Sequence, residues 1–476
     1  MRLFYLIVLA CTIELSAGLK HLTLQRALHI LENNNLEVKI SKYNESMKYY
    51  EHVAAKAKKY GSLDVTYTAL RSNDAGNVFG FKLQSREADF GDFGFSDFMA
   101  ALGQGVMQSA QLNNGVPSFP LFAQGLAQNG DSILAIQPKD LNYPGARNHF
   151  LTKFTYQVPI YTGGMLKHYR AITKKLYKMS KLDTKKLLSI KRYELKKTFY
   201  DIALVNNFIS NLNKIKRNIN KLKRVIREMK KEGYAIETDY LEVDARLGEV
   251  EAMLDEARLN KKLAYQFVSF LLNRKVSSIV PPKRTPKTPR VTKSIVEQRA
   301  IDIAKAKLGL SITKDAIKIA KAKFKPTVGA FVEYGFGDDA VIPEKIWRKD
   351  FYTVGMQAKM NLYDGGAKKA DLEKAKLEYL KVATQVKLAK KGLWLKANKL
   401  KKEIRSLNAR VRSYQKQYKF ARRVYKTYEE KYRLGIVPIT DVLIKQSEEL
   451  AVLMKLSKVK NDRNAKILAL QKLINK

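Results

Sequence analysis

The sequence predicts a mixed α+β membrane protein built from two copies of one structural unit, and three observations lead there. Landmarks recur at one fixed offset. Two stretches of some seventy residues read as uninterrupted helix. Four short segments alternate apolar and polar residues over the length that crosses a bilayer as a β-strand.

The repeat comes first, because missing it would misread the whole fold. "VPIYTGG" (Val158 to Gly164) returns as "MNLYDGG" (Met360 to Gly366), and from Tyr161 to Tyr363 the offset is 363 − 161 = 202. "EGYAIETD" and "LGIVPITD" end at Asp239 and Asp441, again 441 − 239 = 202. Gly233 and Gly435 keep the same spacing.

Met165 to Glu232 holds no Pro or Gly, and Ala367 to Leu434 holds only Gly392. As helices, these stretches would each span about 100 Å. Val411, Tyr414, Tyr418, Ala421, Tyr425, Tyr428 and Tyr432 step in a heptad period, the signature of coiled-coil packing. Ile209, Leu212, Ile215, Ile219, Leu222, Ile226 and Met229 keep nearly the same period in the first copy. Each long helix should end at a glycine, Gly233 or Gly435. A shorter helix should follow, over Asp239 to Leu272 and Thr440 to Ile474, with Thr238-Asp239 and Thr440-Asp441 as N-caps. Another helix opens each copy, Leu24 to Lys59 and Lys293 to Lys323. Its length suits stacking end to end with the shorter helix against the long one.

Between the opening helix and the long helix the period changes to two. Leu63, Val65, Tyr67 and Ala69 alternate with Asp64, Thr66 and Thr68. Phe154, Tyr156, Val158 and Ile160 alternate with Lys153, Thr155 and Gln157. In the second copy the runs are Val328 to Phe336 and Tyr352 to Leu362. A soluble two-sided sheet is the plainer reading of such strands. "TGG" and "DGG" stand where strand turns into helix, and Gly163, Gly164, Gly365 and Gly366 permit that change of backbone direction. The segment from Ala75 to Phe150, rich in Gly, Asn and Pro, reads as a long strand-to-strand loop. The expected organisation is a signal peptide at 1–18, repeat one at 19–275, a Pro-rich basic linker at 276–293 and repeat two at 294–476.

Arg2, the apolar run Leu3 to Ile13 and Ser16-Ala17-Gly18 suggest the secretory signal, too short for a membrane helix. A buried N-terminal helix is its alternative. The one cysteine, Cys11, lies in that run, so no disulfide framework is expected. A lipoprotein cysteine is the other reading of Cys11. The formal charge is +44, a balance that first suggests nucleic acid or an anionic surface. Export argues against nucleic acid. Met165–Tyr234 carries 21 Lys+Arg against 5 Asp+Glu, and Ala367–Arg433 carries 22 against 6, so most of the excess lies on two equivalent stretches. These faces read as solvated helix surface, or as surfaces favouring an anionic partner.

His21, His29, His52, His149 and His168 are too scattered for a metal site. No catalytic constellation has motif context, and "YTGG" lacks the Lys-Ser/Thr of a phosphate loop. No enzyme, metal or cofactor is expected. Four strands cannot close a barrel alone, and open sheet edges are not tolerated in lipid. Either the strands lie outside a membrane or several chains share one barrel.

With these residues in view, the chain resembles the TolC-type outer-membrane efflux proteins, the outer membrane factor family. The two strand-to-helix junctions and "YRLGIVPITDVL" (Tyr432 to Leu443) carry the resemblance. "FGFKLQSREADFGDFGF" (Phe79 to Phe95) and "DLNYP" (Asp140 to Pro144) look like the long first strand loop of many members. The resemblance implies a homotrimer in the bacterial outer membrane. Twelve strands, four per chain, would form a β-barrel continued into the periplasm by a helical coiled-coil barrel. It implies docking to a periplasmic adaptor and an inner-membrane pump, and transport without chemistry. It puts Gly233 and Gly435 at the hairpin tips, where the adaptor docks. It puts Asp441 in an acidic ring at the periplasmic entrance, with Thr238, Asp239 and Tyr432 in the closing network. Departures are plain: Ile444 replaces a second family acid, and Val437 replaces a latch arginine. Tyr432 also reads as a heptad core residue. The alternative function is a secreted coiled-coil structural or polyanion-binding protein. Drugs, metal ions and secreted polypeptide all remain open as cargo.

Overall fold

The computed structural model describes residues 18–282, 284–342 and 346–475. All but the last residue of the expected signal, Cys11 included, lies outside the described residues. The chain divides into two units. One comprises residues 18–52, 171–317 and 373–475; the other comprises 53–170 and 318–372.

In chain order the helices and strands are α1 (Leu24–Asn34), α2 (Leu36–Ala57), β1 (Ser62–Ser72), α3 (Ala75–Gln84), α4 (Phe95–Gln111), α5 (Phe119–Leu134), α6 (Lys139–Asn142) and β2 (Arg147–Tyr161). Then follow α7 (Met165–Lys231), α8 (Glu237–Leu272), α9 (Lys293–Arg299), α10 (Ile301–Ala322), β3 (Thr327–Asp338), β4 (Asp350–Lys359), α11 (Ala367–Arg433) and α12 (Ile439–Leu473). The two long helices have 67 residues each and start 367 − 165 = 202 apart. Their followers start 439 − 237 = 202 apart.

The opening helices differ from the single runs the sequence suggests. Each is broken once, at Asn35 (ψ 125°) and at Ala300 (ψ 119°), both extended. At the first break the Asn35 side chain does two jobs. Its amide donates to the Leu271 carbonyl at 2.8 Å, and its oxygen accepts from the Val38 N–H at 3.0 Å, capping α2.

Within the helical unit the core lies where the heptads predict it. Leu212, Ile215, Ile219, Leu222 and Ile226 of α7 are buried in one cluster with Val243 and Val250 of α8, Tyr425 and Tyr432 of α11, and Val442 and Leu450 of α12. Two further clusters occupy matching positions. Leu195, Ile202, Val268 and Leu272 bury in one; Ala397, Ile404, Leu470 and Ile474, each 202 residues on, bury in the other. The Pro-rich linker is tied to the first of these clusters. Val276 and Ile279 are buried, and they bridge in parallel to Leu19 and Leu22.

The sheet unit holds four strands in the order β1-β2-β3-β4, every neighbour antiparallel. β1 and β4 are its edges. The register sorts the side chains by face. Val65 lies opposite Phe154, Phe154 opposite Tyr334, and Tyr334 opposite Tyr352, so one apolar row crosses all four strands. The row Leu63, Tyr156, Val332 and Val354 lies beside it on the same face. This face is uncovered: Val65 is 61%, Val354 68% and Met356 72% exposed. The other face carries Thr155, Lys153 and Glu333, the last two paired at 3.1 Å. It also carries two aromatic residues that alternation alone does not explain. Phe331 lies opposite Gly355 and Phe351 opposite Gly335, and each ring covers its glycine. β4 stops at Lys359, short of Leu362, because its last partner is Thr327, which follows Pro326 at the start of β3.

The expected loop between the first two strands is a correction. Residues 75–142 contain four helices, with α4 and α5 packed on each other. Its glycines punctuate less than the sequence suggests. Gly76, Gly80, Gly103, Gly105, Gly125 and Gly130 sit inside helices, where each costs only about 1 kcal/mol against alanine. Pro120 stands in the first turn of α5, where its missing N–H has no intrahelical partner to lose.

Candidate functional site

The strand-to-helix junctions have the same backbone in both copies. Gly163 and Gly164 have φ of +63° and +93°; Gly365 and Gly366 have +64° and +91°. A side chain is strained in that left-handed region. Gly163 has a second constraint: a Cβ there would lie 2.7 Å from the Ala322 carbonyl oxygen, whereas one on Gly365 meets nothing within 4 Å. The residue before each glycine pair caps the long helix, a role sequence reasoning missed. Thr162 Oγ1 accepts from the Leu166 N–H at 3.3 Å, and the Asp364 carboxylate accepts from Lys368 N–H at 3.0 Å and Gly366 N–H at 3.2 Å. A Thr or Asp directly before a helical run was the signal that would have found it.

At the other end of each long helix the chain closes in the same way twice. Gly233 (φ +83°) and Gly435 (φ +73°) follow the last turn. Tyr234 N–H reaches the Met229 carbonyl at 2.8 Å, and Ile436 N–H reaches Lys431 at 2.9 Å. These are the six-to-one bonds that close a helix over a left-handed residue. The next helices start earlier than expected. Their N-caps are Ile236 and Pro438, so Thr238, Asp239, Thr440 and Asp441 lie within the first turn. Neither cap residue has a side-chain oxygen, and Asp239 compensates by accepting from the Ile236 N–H at 3.2 Å.

The predicted entrance residues are brought together only in part. Tyr432 is 6% exposed and packs in the hairpin core. Burial first, and then the Asp239 carboxylate, push its hydroxyl above the ordinary tyrosine range. So Tyr432 and Asp239, from different hairpins, are electrostatic neighbours. Thr238 is exposed, and Asp441 is partly exposed. Among the described residues no hydrogen bond joins Asp441 to Thr238, Asp239 or Tyr432. The two hairpins touch beside it, where the Thr440 hydroxyl meets Glu242 at 3.2 Å.

A polar cluster inside the hairpin core escaped the sequence reading. Tyr425, Gln446 and Glu449 are nearly inaccessible. Among the described residues, Tyr425 Oη and both amide atoms of Gln446 have no hydrogen-bond partner. Burial pushes the Glu449 carboxyl up, with Arg422 pulling the other way and Tyr418 within hydrogen-bonding reach. Heptad spacing marked the tyrosines as core, but it says nothing of which polar partners face them.

One acidic cluster has metal-like proximity, Glu87, Asp338 and Asp339. Two cations stand among these carboxylates. Lys349 pairs with Glu87 and with Asp338 at 2.8 Å, and Arg147 pairs with Glu87 and with Asp339 at 3.6 Å. The arrangement is an ion-pair network linking the α3 end to the strand ends.

Residues 294–476 match the model of the family described as outer membrane efflux protein. No curated protein matches the chain. Among solved structures, the fold is shared with the Campylobacter jejuni CmeC outer membrane channel (TM-score 0.72, 13% identity, 95% of this chain and 85% of that one). It is shared with the outer membrane protein VceC from Vibrio cholerae (0.72, 13%, 95% and 96%). The open state of the Neisseria gonorrhoeae MtrE outer membrane channel matches similarly (0.71, 12%, 95% and 88%). The expected resemblance to outer-membrane efflux proteins therefore holds: the fold is common to nearly the whole chain, and the family's sequence pattern lies in its last 183 residues.

Proposed function

We propose that this protein is an outer-membrane export duct, a passive trimeric channel from periplasm to exterior in a tripartite efflux or type I secretion system. One observation carries the reading. A four-stranded antiparallel sheet of lipid-spanning length has one wholly uncovered apolar face and two unpaired edges. In water such a sheet would aggregate. In lipid, three copies joined edge to edge would give a closed barrel of twelve strands, and the hairpins below would pack as a periplasmic tunnel.

The equal helix lengths, the matched glycine geometry and the matched core positions support two repeats at 19–275 and 294–476, joined at 276–293 and preceded by a signal at 1–18. The Gly233 and Gly435 tips would meet an adaptor protein, itself bound to an inner-membrane pump. Asp441, partly exposed at a hairpin start, would contribute one carboxylate per chain to an acidic ring. Tyr432 and Asp239 would hold the entrance hairpins together. A secreted polyanion-binding protein would account for the charge but leave the apolar sheet face unexplained.

The test is conductance of the purified protein in planar bilayers, before and after Asp441→Asn. A channel whose cation preference weakens at low salt supports both the duct and the ring, since exposed charges act strongly only where screening is weak. Conductance with unchanged selectivity removes Asp441 from the pore. No conductance at all removes the duct.

A further inference from the structure

We propose that the helical segment between β1 and β2 is a lid that narrows the barrel at its outer mouth. The proposal rests on the duct reading, which makes the polar face of the sheet the channel lining.

The register decides which face the lid occupies. His149 alternates with Phe150, so it belongs to the face of Leu151 and Lys153, opposite the uncovered apolar row. Phe81 of α3 stacks on the His149 ring, with centroids 4.2 Å apart and planes 7° apart. Gln84 Oε1 lies 2.9 Å from His149 Nε2. The seat is shaped for this contact. A Cβ on Gly337 would come within 2.7 Å of the His149 ring, and His149 itself is 1% exposed. Val78, one turn before Phe81, is also buried. So α3 lies on the lining face with its apolar side against the wall.

The position along the strands is equally defined. His149 and Gly337 lie near the start of β2 and the end of β3, the sheet ends remote from the Gly163 and Gly365 junctions. Ion pairs pin the segment there. Glu87, just past α3, bonds Arg147 and Lys349, and Arg86 donates to the Asp350 carbonyl at 2.6 Å. These contacts run to two strand ends, the starts of β2 and β4. An ordinary strand connection at the rim needs no such anchorage. The segment also differs in charge from the rest of the molecule. The chain has 89 Lys+Arg, yet residues 88–138 contain none, so this part is not an extension of the basic helical surface. Three copies, one per chain, would reach inward over one lumen.

The experiment compares three full-length proteins in planar bilayers: the parent, a variant with residues 75–145 replaced by a two-residue Asn-Gly turn, and the double variant Phe81→Ala/Glu87→Gln. If the lid sets the aperture, removal raises single-channel conductance by about twofold or more, and the double variant shows a smaller rise or frequent steps to the higher level. The double variant leaves every strand residue in place, so it decides the matter if the deletion does not assemble. Assembled variants with parental conductance overturn the lid. A parent that conducts nothing overturns the duct instead, and the two failures are thereby distinct.

Discussion

Gly163 and Gly365 occupy equivalent places and share one backbone conformation, yet they should respond differently to alanine. Both substitutions put a Cβ at positive φ, which costs about 1 kcal/mol or more. Only at position 163 does that carbon also run into the Ala322 carbonyl and the Lys325 side chain. Gly163→Ala should therefore lower the thermal midpoint in detergent clearly more than Gly365→Ala; equal shifts would mean that the Ala322 contact does not constrain the junction. Glu449 offers a pH test. Its carboxyl is held above the ordinary glutamate value by burial, so ionising it costs the folded state more than the unfolded one. Below the ordinary value both states are protonated and nothing is lost. As pH rises from there through the folded value, stability falls. Glu449→Gln should flatten that fall, visible in midpoints measured at about pH 5 and about pH 8. A parallel pH dependence in both proteins would contradict it. At this scale the sequence showed the paired glycines, because left-handed turns demand a specific residue. It could not show Glu449 facing Tyr418, because that contact joins two helices whose register appears only on packing.

Long elements were the most legible. Two Pro-free stretches with heptad spacing became two 67-residue helices, and four alternating runs became the four strands of one sheet. Breaks and caps were less so. Asn35 ends an Asn33-Asn34-Asn35 run inside an otherwise helix-favouring stretch, and what fixes the break there is its side chain finding the Leu271 carbonyl, a partner 236 residues away. The helical segment after β1 was misread for a related reason. Short helices that carry glycines resemble loop sequence until their neighbours are known. Its turn at Asn113–Val116, between α4 and α5, is exposed and closes α4 by backbone bonds, as the Gly435 turn closes α11, so the two sites differ in their proposed roles rather than in local structure. A four-residue Gly-Ser insertion after Asn114 should leave export of a co-expressed system's substrate near the parental level. The same insertion after Gly435 should reduce it about tenfold or more if, as proposed, that tip docks an adaptor in a fixed register. Comparable losses at both sites would reverse the assignment of docking end and free end.

For the molecule as a whole, the large positive charge pointed towards polyanions, while the sheet pointed towards lipid. The sheet decides, because charge on helix surfaces is solvated at little cost, whereas a bare apolar sheet face with open edges is not tolerable in water. Four strands per chain fit barrels of several sizes, and the proposed number of three rests on the resemblance to the outer-membrane efflux proteins. The cargo was not legible, since on the proposed reading the chain is a passive duct, whose substrate would be chosen by partners. On the proposed reading, the open edges of β1 and β4 are closed by further copies of the same chain. The most direct test of that closure is the mass of the detergent-extracted particle, measured by light scattering with the detergent contribution subtracted. Three chains of about 54 kDa each are expected per particle, slightly less each if a signal is removed. A single chain per particle, soluble without detergent, would contradict it.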